Sequence, residues 1–236
     1  MRYQLSHRTT YTYASTVDSG QHIAHLRARA FPGQTVESIS IETNPLPALA
    51  AQHVDHFGNN IDIYRIDKPH HRFEIEVRAT ISVRFPDPPP AEETPPWEEI
   101  RGALYGDGFP EPVQASEFVH DSPLVPRVDE LRDYGAQSLA PGRPILAAAR
   151  ELTAPIRHDF TYNPGATDIS TPLGQVFAGK AGVCQDFAHV EIAALRAHGL
   201  AAAYVSGYIR TVHSKEEMAL RGDLDMGEVL ADAGLA

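Results

Sequence analysis

Cysteine is almost absent from this chain: Cys184 is the one thiol in 236 residues. A single cysteine excludes an internal disulfide and suits a reducing compartment. Positive charge is also short, since 20 Lys and Arg face 31 Asp and Glu, for a formal net charge of −11. No basic stripe stands out, which argues against a nucleic-acid partner. The first eight residues lack the apolar core of a secretory signal. No apolar run is long enough to span a bilayer, because the Ala-rich stretch at 192–205 is interrupted by Arg196 and His198. These absences predict a cytoplasmic protein without a membrane partner. Internal repeats, a heptad register and a spaced glycine cradle for phosphate are missing as well.

What remains is the composition of a folded globular protein, 42% hydrophobic and 22% charged. The length allows one large or two small domains with a substantial core. Phe73, Ile75, Val77, Ala79, Ile81, Val83 and Phe85 alternate with polar residues, the pattern of a strand with one buried face. Shorter alternation over 3–13, 38–43 and 61–66 is punctuated by turn signals at Gly20, Pro32-Gly33, Pro45, Gly58-Asn59 and Pro69. An antiparallel sandwich or open barrel over residues 1–85 is the economical arrangement. Residues 86–96 hold six prolines and cannot continue a ladder, so an extended, semi-rigid connector is expected there, with the domain boundary in it.

Beyond the connector the spacing predicts helices over 97–105, 128–134 and 144–156. Thr171 and Pro172 read as N-cap and first-turn residues of a short helix to about 178. A strand is expected over 202–211. The acidic tail at 212–236 reads as a helix, with Ser214 and Glu217 spaced as a capping box.

The chemistry-bearing stretch is Ala181-Gly182-Val183-Cys184-Gln185-Asp186-Phe187-Ala188-His189. Phe187, Val190, Ala194 and Leu195 recur at helical spacing, and Gly199 supplies a stop. Gly182 is expected to let the backbone turn tightly before the helix. Cys184 then falls in the first turn of a helix packed in the interior of the second domain, not on a surface loop. A thiol placed there meets the positive end of the macrodipole and unsatisfied N–H groups, which favour a nucleophilic thiolate.

A thiolate that attacks an amide also needs a histidine to protonate the leaving amine. His189, five residues on, projects about 140° away around the helix, and Asp186 about 200° away. Asp186 is therefore expected to fix local structure. His213, just past the last strand, is the remaining base candidate. Tyr162 is read either as a hydrogen-bonding neighbour of the site or as a buried core tyrosine. His22 and His25, His53 and His56, and His70-His71 have no third and fourth ligand at recognisable spacing, so neither a metal nor a cofactor is expected.

Three ordered blocks resemble the transglutaminase-like superfamily of papain-like thiol enzymes: Phe160-Thr161-Tyr162-Asn163-Pro164-Gly165-Ala166-Thr167, Gly182 to His189, and Tyr204-Val205-Ser206-Gly207-Tyr208-Ile209-Arg210-Thr211. The bacterial members with a β-rich domain ahead of the core are the most similar. His7-Arg8-Thr9-Thr10-Tyr11 resembles the opening strand of that domain, and His56-Phe57-Gly58-Asn59-Asn60 a second marker. The resemblance covers residues 1–211 and implies an α+β fold. An N-terminal antiparallel β-sandwich-like domain (1–85) would precede the front part of a papain-like transglutaminase core (97–211).

The implied chemistry is attack of Cys184 on a protein or peptide amide, through a thioester, with Gln185, Asp186 and Tyr162 in support. In the superfamily the histidine lies on the strand after the one ending here at Thr211 and the aspartate on the next; neither block is found. Three readings follow: an enzyme whose chain is cut short or altered, a non-catalytic binding or scaffold module, or an incomplete gene product. The chain as given is therefore expected to have no significant transamidation or amidase activity, and the uncovered edge of the 202–211 strand invites a homo-oligomer.

Overall fold

The structure, a computed structural model, describes residues 1–104 and 112–208, with the backbone alone at 112–114. Two compact units divide the chain, one of Met1–Asp87, with Gly207 and Tyr208 grouped with it, and one of Pro88–Ser206.

Among the described residues the first unit contains six strands: β1 (Arg2–Val17), β2 (Gly20–Ala24), β3 (Gln34–Asn44), β4 (Leu49–Val54), β5 (Asn60–Ile66) and β6 (His70–Val83). They form two antiparallel sheets, ordered β1-β6-β3 and β2-β5-β4. The alternation in β6 is realised, with Phe73, Ile75, Val77, Ala79 and Ile81 all buried. Phe73 and Ile75 of one sheet share a core with Tyr64 and Ile66 of the other, so apolar faces meet as in a sandwich. On the opposite face of β6, Glu76 is the direct cross-strand partner of Arg8 and accepts hydrogen bonds from Arg8 and Arg78. Asp62 is fully buried, and Arg27 Nε donates to its Oδ1 at 3.0 Å.

The second unit opens with a single 3₁₀ turn at Ala91–Glu93 and continues through α1 (Trp97–Ala103), α2 (Pro112–Glu117), α3 (Asp129–Ala136), α4 (Ile145–Asp159), β7 (Thr161–Tyr162), α5 (Leu173–Gly179), β8 (Ala181–Gly182) and α6 (Cys184–Ala197). Leu131, Leu152, Val190 and Ala194, from α3, α4 and α6, are completely buried together. Gly135 allows α3 to approach α6 closely, since a Cβ there would stand 3.2 Å from Ala194 Cβ.

Three expectations are corrected. The connector is not uniformly extended. Its 3₁₀ turn is closed by Thr94 Oγ1 donating to Ala91 O, and Pro95 O accepts from Ile145 N–H, which ties the later prolines into the helical unit. Thr171 does not cap α5. The helix starts at Leu173 with Pro172 in the cap position, while the Thr171 hydroxyl oxygen accepts from Asp168 N–H at 2.9 Å. Residues 202–208 form no strand. They are held at single points, Ala202 N–H to Phe118 O at 3.1 Å and Arg196 to Ala202 O, because a strand requires a ladder partner and none runs beside them among the described residues. The tail at 212–236 lies outside the described residues.

Candidate active site

The site begins where α5 ends. Lys180 adopts a left-handed conformation (φ 50°, ψ 32°), its N–H bonding to Val176 O as α5 terminates. Its ammonium lies 3.4 Å from the ring centre of Phe177, 4.6 Å from that of Phe160 and 4.7 Å from that of Tyr134. Burial lowers the Lys180 pKa. From this pinned turn the chain enters β8, which pairs in parallel with β7, Tyr162 opposite Gly182. One extended residue, Val183, then leads to Cys184 at the first position of α6.

Asp186 holds this junction. It is buried, and its Oδ2 accepts from Val183 N–H at 2.8 Å and from Thr167 Oγ1 at 2.7 Å. A carboxylate at the third position of a helix thereby satisfies an N–H at its start and complements the dipole. Gly182 is needed here for space, not for a turn. It does not share the positive φ of Gly33, Gly58, Gly142 and Gly199, whereas a Cβ on it would run into the Asp186 carboxylate, with Asp186 Cβ and Cγ both at 3.0 Å.

Cys184 does stand in the first turn of a helix packed in the unit's interior, with its own side chain exposed. The reason is angular. The buried face of α6 runs through Asp186, Val190, Ala193 and Ala194, and Cys184 sits about 120° around the helix from Val190. No described residue hydrogen-bonds its sulfur. His189 is on the buried side, its ring 5.4 Å from that of Tyr204, and burial lowers its pKa, with Asp186 opposing the shift. Tyr162 is exposed beside β8, so it is not a core tyrosine. His213 lies outside the described residues. Among the described residues no three His, Cys, Asp or Glu side chains gather as a metal site; His22 instead stacks on Phe73 with ring centres 3.8 Å apart.

A cavity of about 270 Å³ opens beside the start of α6. Gln185, Asp186 and His189 line it from the helix, residues 168–173 and Val176 from the loop and start of α5, and Leu124 from another loop. Sequence reasoning overlooked Thr167 and this loop, although Asp168-Ile169-Ser170-Thr171 carries the signature of a side-chain-closed turn.

A papain-like arrangement, with a cysteine opening a helix behind a short β-pair, defines the class. Two family models match in order: the bacterial transglutaminase-like N-terminal region over residues 3–82 and the transglutaminase-like superfamily core over residues 132–225. The chain belongs to the transglutaminase-like superfamily, in its bacterial form with a preceding β-domain.

An uncharacterized protein of Mycobacterium tuberculosis is 37% identical over 213 residues, 89% of this chain and 66% of that protein. One of Mycobacterium leprae is 27% identical over 208 residues, 88% of this chain and 71% of its own length. The chain thus spans about two thirds of the length of the first of these relatives. A crystal structure described as "a Putative Cysteine Protease" from Cytophaga hutchinsonii superposes with a TM-score of 0.64 at 19% identity, covering 84% of this chain and 63% of that one; the likeness is one of fold. No helix among the described residues is long and apolar enough to cross a membrane.

Proposed function

We propose that Cys184 is the nucleophile of a thiol-dependent acyltransferase or amide hydrolase, forming a thioester with a protein or peptide carbonyl. The observation that carries this reading is the exposed sulfur at the first position of α6, on a junction braced by Asp186 and Gly182. In this reading Asp186 is a positioning residue and Gln185 borders the substrate. Tyr162 flanks the approach from β7.

The chemical step is attack of the thiolate on the carbonyl carbon, with the carbonyl π electrons moving to oxygen and returning as the leaving group departs. An amine must leave protonated, which requires a histidine near the sulfur. His189, turned to the buried side, does not serve. The proton partner on this reading therefore comes from outside the described residues, where His213 is one candidate. The lack of a described hydrogen-bond partner for the sulfur favours a second reading, a binding module that keeps the fold.

The two separate by leaving group. p-Nitrophenolate leaves without a proton, so p-nitrophenyl acetate should give a burst of one equivalent from the wild-type chain and none from Cys184→Ala. Ammonia release from a glutamine-rich protein that also depends on Cys184 supports a complete enzyme. A burst without such release leaves only the nucleophile in place, and no burst at all overturns the reading in favour of the binding module.

A further inference from the structure

The cavity beside α6 has charge of one sign and an apolar approach. Among the described residues two carboxylates line it, Asp168 and Asp186, and no Lys or Arg does. Asp186 is already committed to Val183 N–H and Thr167. Asp168 is different. Its Oδ1 accepts from Ser170 N–H at 2.8 Å, Ser170 Oγ at 2.6 Å and Thr171 Oγ1 at 3.4 Å, the Thr171 backbone N–H also favours the charged carboxylate, and no described side chain donates to Oδ2. These bonds from Ser170 and Thr171 hold the Asp168 carboxyl below its usual range, so it is ionised at neutral pH. His189 adds no compensating charge, because burial lowers its pKa.

Leu124 and Ile169 line the same cavity and are 50% and 79% exposed, large apolar surface next to an ionised carboxylate. Single exposed apolar side chains need no explanation; two on the rim of one cavity suit the methylene stem of a long side chain. At about 270 Å³ the space falls below the ~300–1,000 Å³ of pockets for drug-sized ligands, a size for one side chain. Gln185, which follows the proposed nucleophile in sequence, forms part of the wall.

We propose that this cavity is a subsite for an arginine side chain of a peptide acyl donor, its guanidinium on Asp168 Oδ2 and its stem between Leu124 and Ile169. The term acyl donor rests on the nucleophile reading above; the recognition of the cation does not. A guanidinium presents forked donors to a carboxylate and is weakly hydrated, so it retains charge recognition against apolar walls better than an ammonium.

The test is isothermal titration of the full chain carrying Cys184→Ala with N-acetyl-Ala-Arg-Ala-amide and with its citrulline analogue, which has nearly the same shape without the charge. The expected result is that the arginine peptide binds roughly two- to fivefold more tightly, the range for an exposed ion pair, and that added salt erodes the preference. Asp168→Asn keeps the Oδ1 acceptor of the turn and should abolish the preference. Ile169→Lys, at a largely exposed position, should do the same by placing a cation at the rim.

Equal binding of the two peptides, a preference that survives either substitution, tighter citrulline binding, or no heat with either peptide at millimolar concentration each overturns the proposal. Because the thiol is absent from the titrated chain, failure of the nucleophile reading leaves this outcome untouched. The p-nitrophenyl acetate burst reports on that reading separately.

Discussion

Replacing Gly182 with alanine should damage the junction before Cys184 while leaving the backbone conformation permitted. The new Cβ would stand 3.0 Å from both Cβ and Cγ of Asp186 and closer still to its Oδ2. Those atoms belong to the first turn of α6 and cannot swing aside like the end of a lysine. Either the carboxylate rotates or the helix start shifts, and in both cases the bonds from Val183 N–H and Thr167 Oγ1 are lost or stretched. Hydrogen bonds to a charged group contribute about 1.5–3 kcal/mol each. Water recovers part of this, and alanine returns ~0.4–1 kcal/mol through the unfolded chain, so the net cost is roughly 2–4 kcal/mol. Urea unfolding followed by fluorescence of Trp97, the one tryptophan and a core residue of the same unit, would measure it. In an Asp186→Ala background the closest collision is gone, and the cost of Gly182→Ala should fall by about 1 kcal/mol or more, a coupling expected of residues in contact. A cost under ~0.5 kcal/mol, or the same cost in both backgrounds, would refute the argument that Gly182 is there to admit the carboxylate.

Leu152→Ala empties a completely buried position between α3, α4 and α6 and should cost about 2–5 kcal/mol by the same unfolding measurement. Glu191 has its pKa raised by burial, opposed by a hydrogen bond from Thr153. The folded state therefore holds more protons than the unfolded chain above the ordinary value of 4.5, and stability falls as pH rises from there through the raised pKa. Glu191→Gln, which keeps a polar partner for the Thr153 hydroxyl 2.9 Å away, should be more stable than the parent at pH 7. That gain should vanish as pH falls below 4.5; a gain independent of pH would mean that ionisation is not its source.

The amino-acid order by itself determined the elements whose cause is local. Period-two alternation in β6 and period-three-to-four spacing in α3, α4 and α6 each mark one apolar face, and a face is legible without knowing what covers it. It also placed Cys184 at a helix start, because the glycine break and the helical period are neighbours in sequence. β2 and β4 went unread. Every residue of β4 is exposed, so it has no buried face to reveal it, and it exists through its ladder with β5. The converse holds at 202–208, where strand-like residues find no described ladder.

Tertiary structure alone decided which way α6 turns its faces, and that rotation exposes Cys184, buries His189 and Asp186, and leaves Tyr162 on the surface beside β8. It decided too that Gly182 matters for volume, and that Asp168, Ile169 and Leu124 border one cavity although Leu124 lies 44 residues before Asp168. Contacts between distant segments depend on how elements pack, and a pattern read along one segment does not contain them.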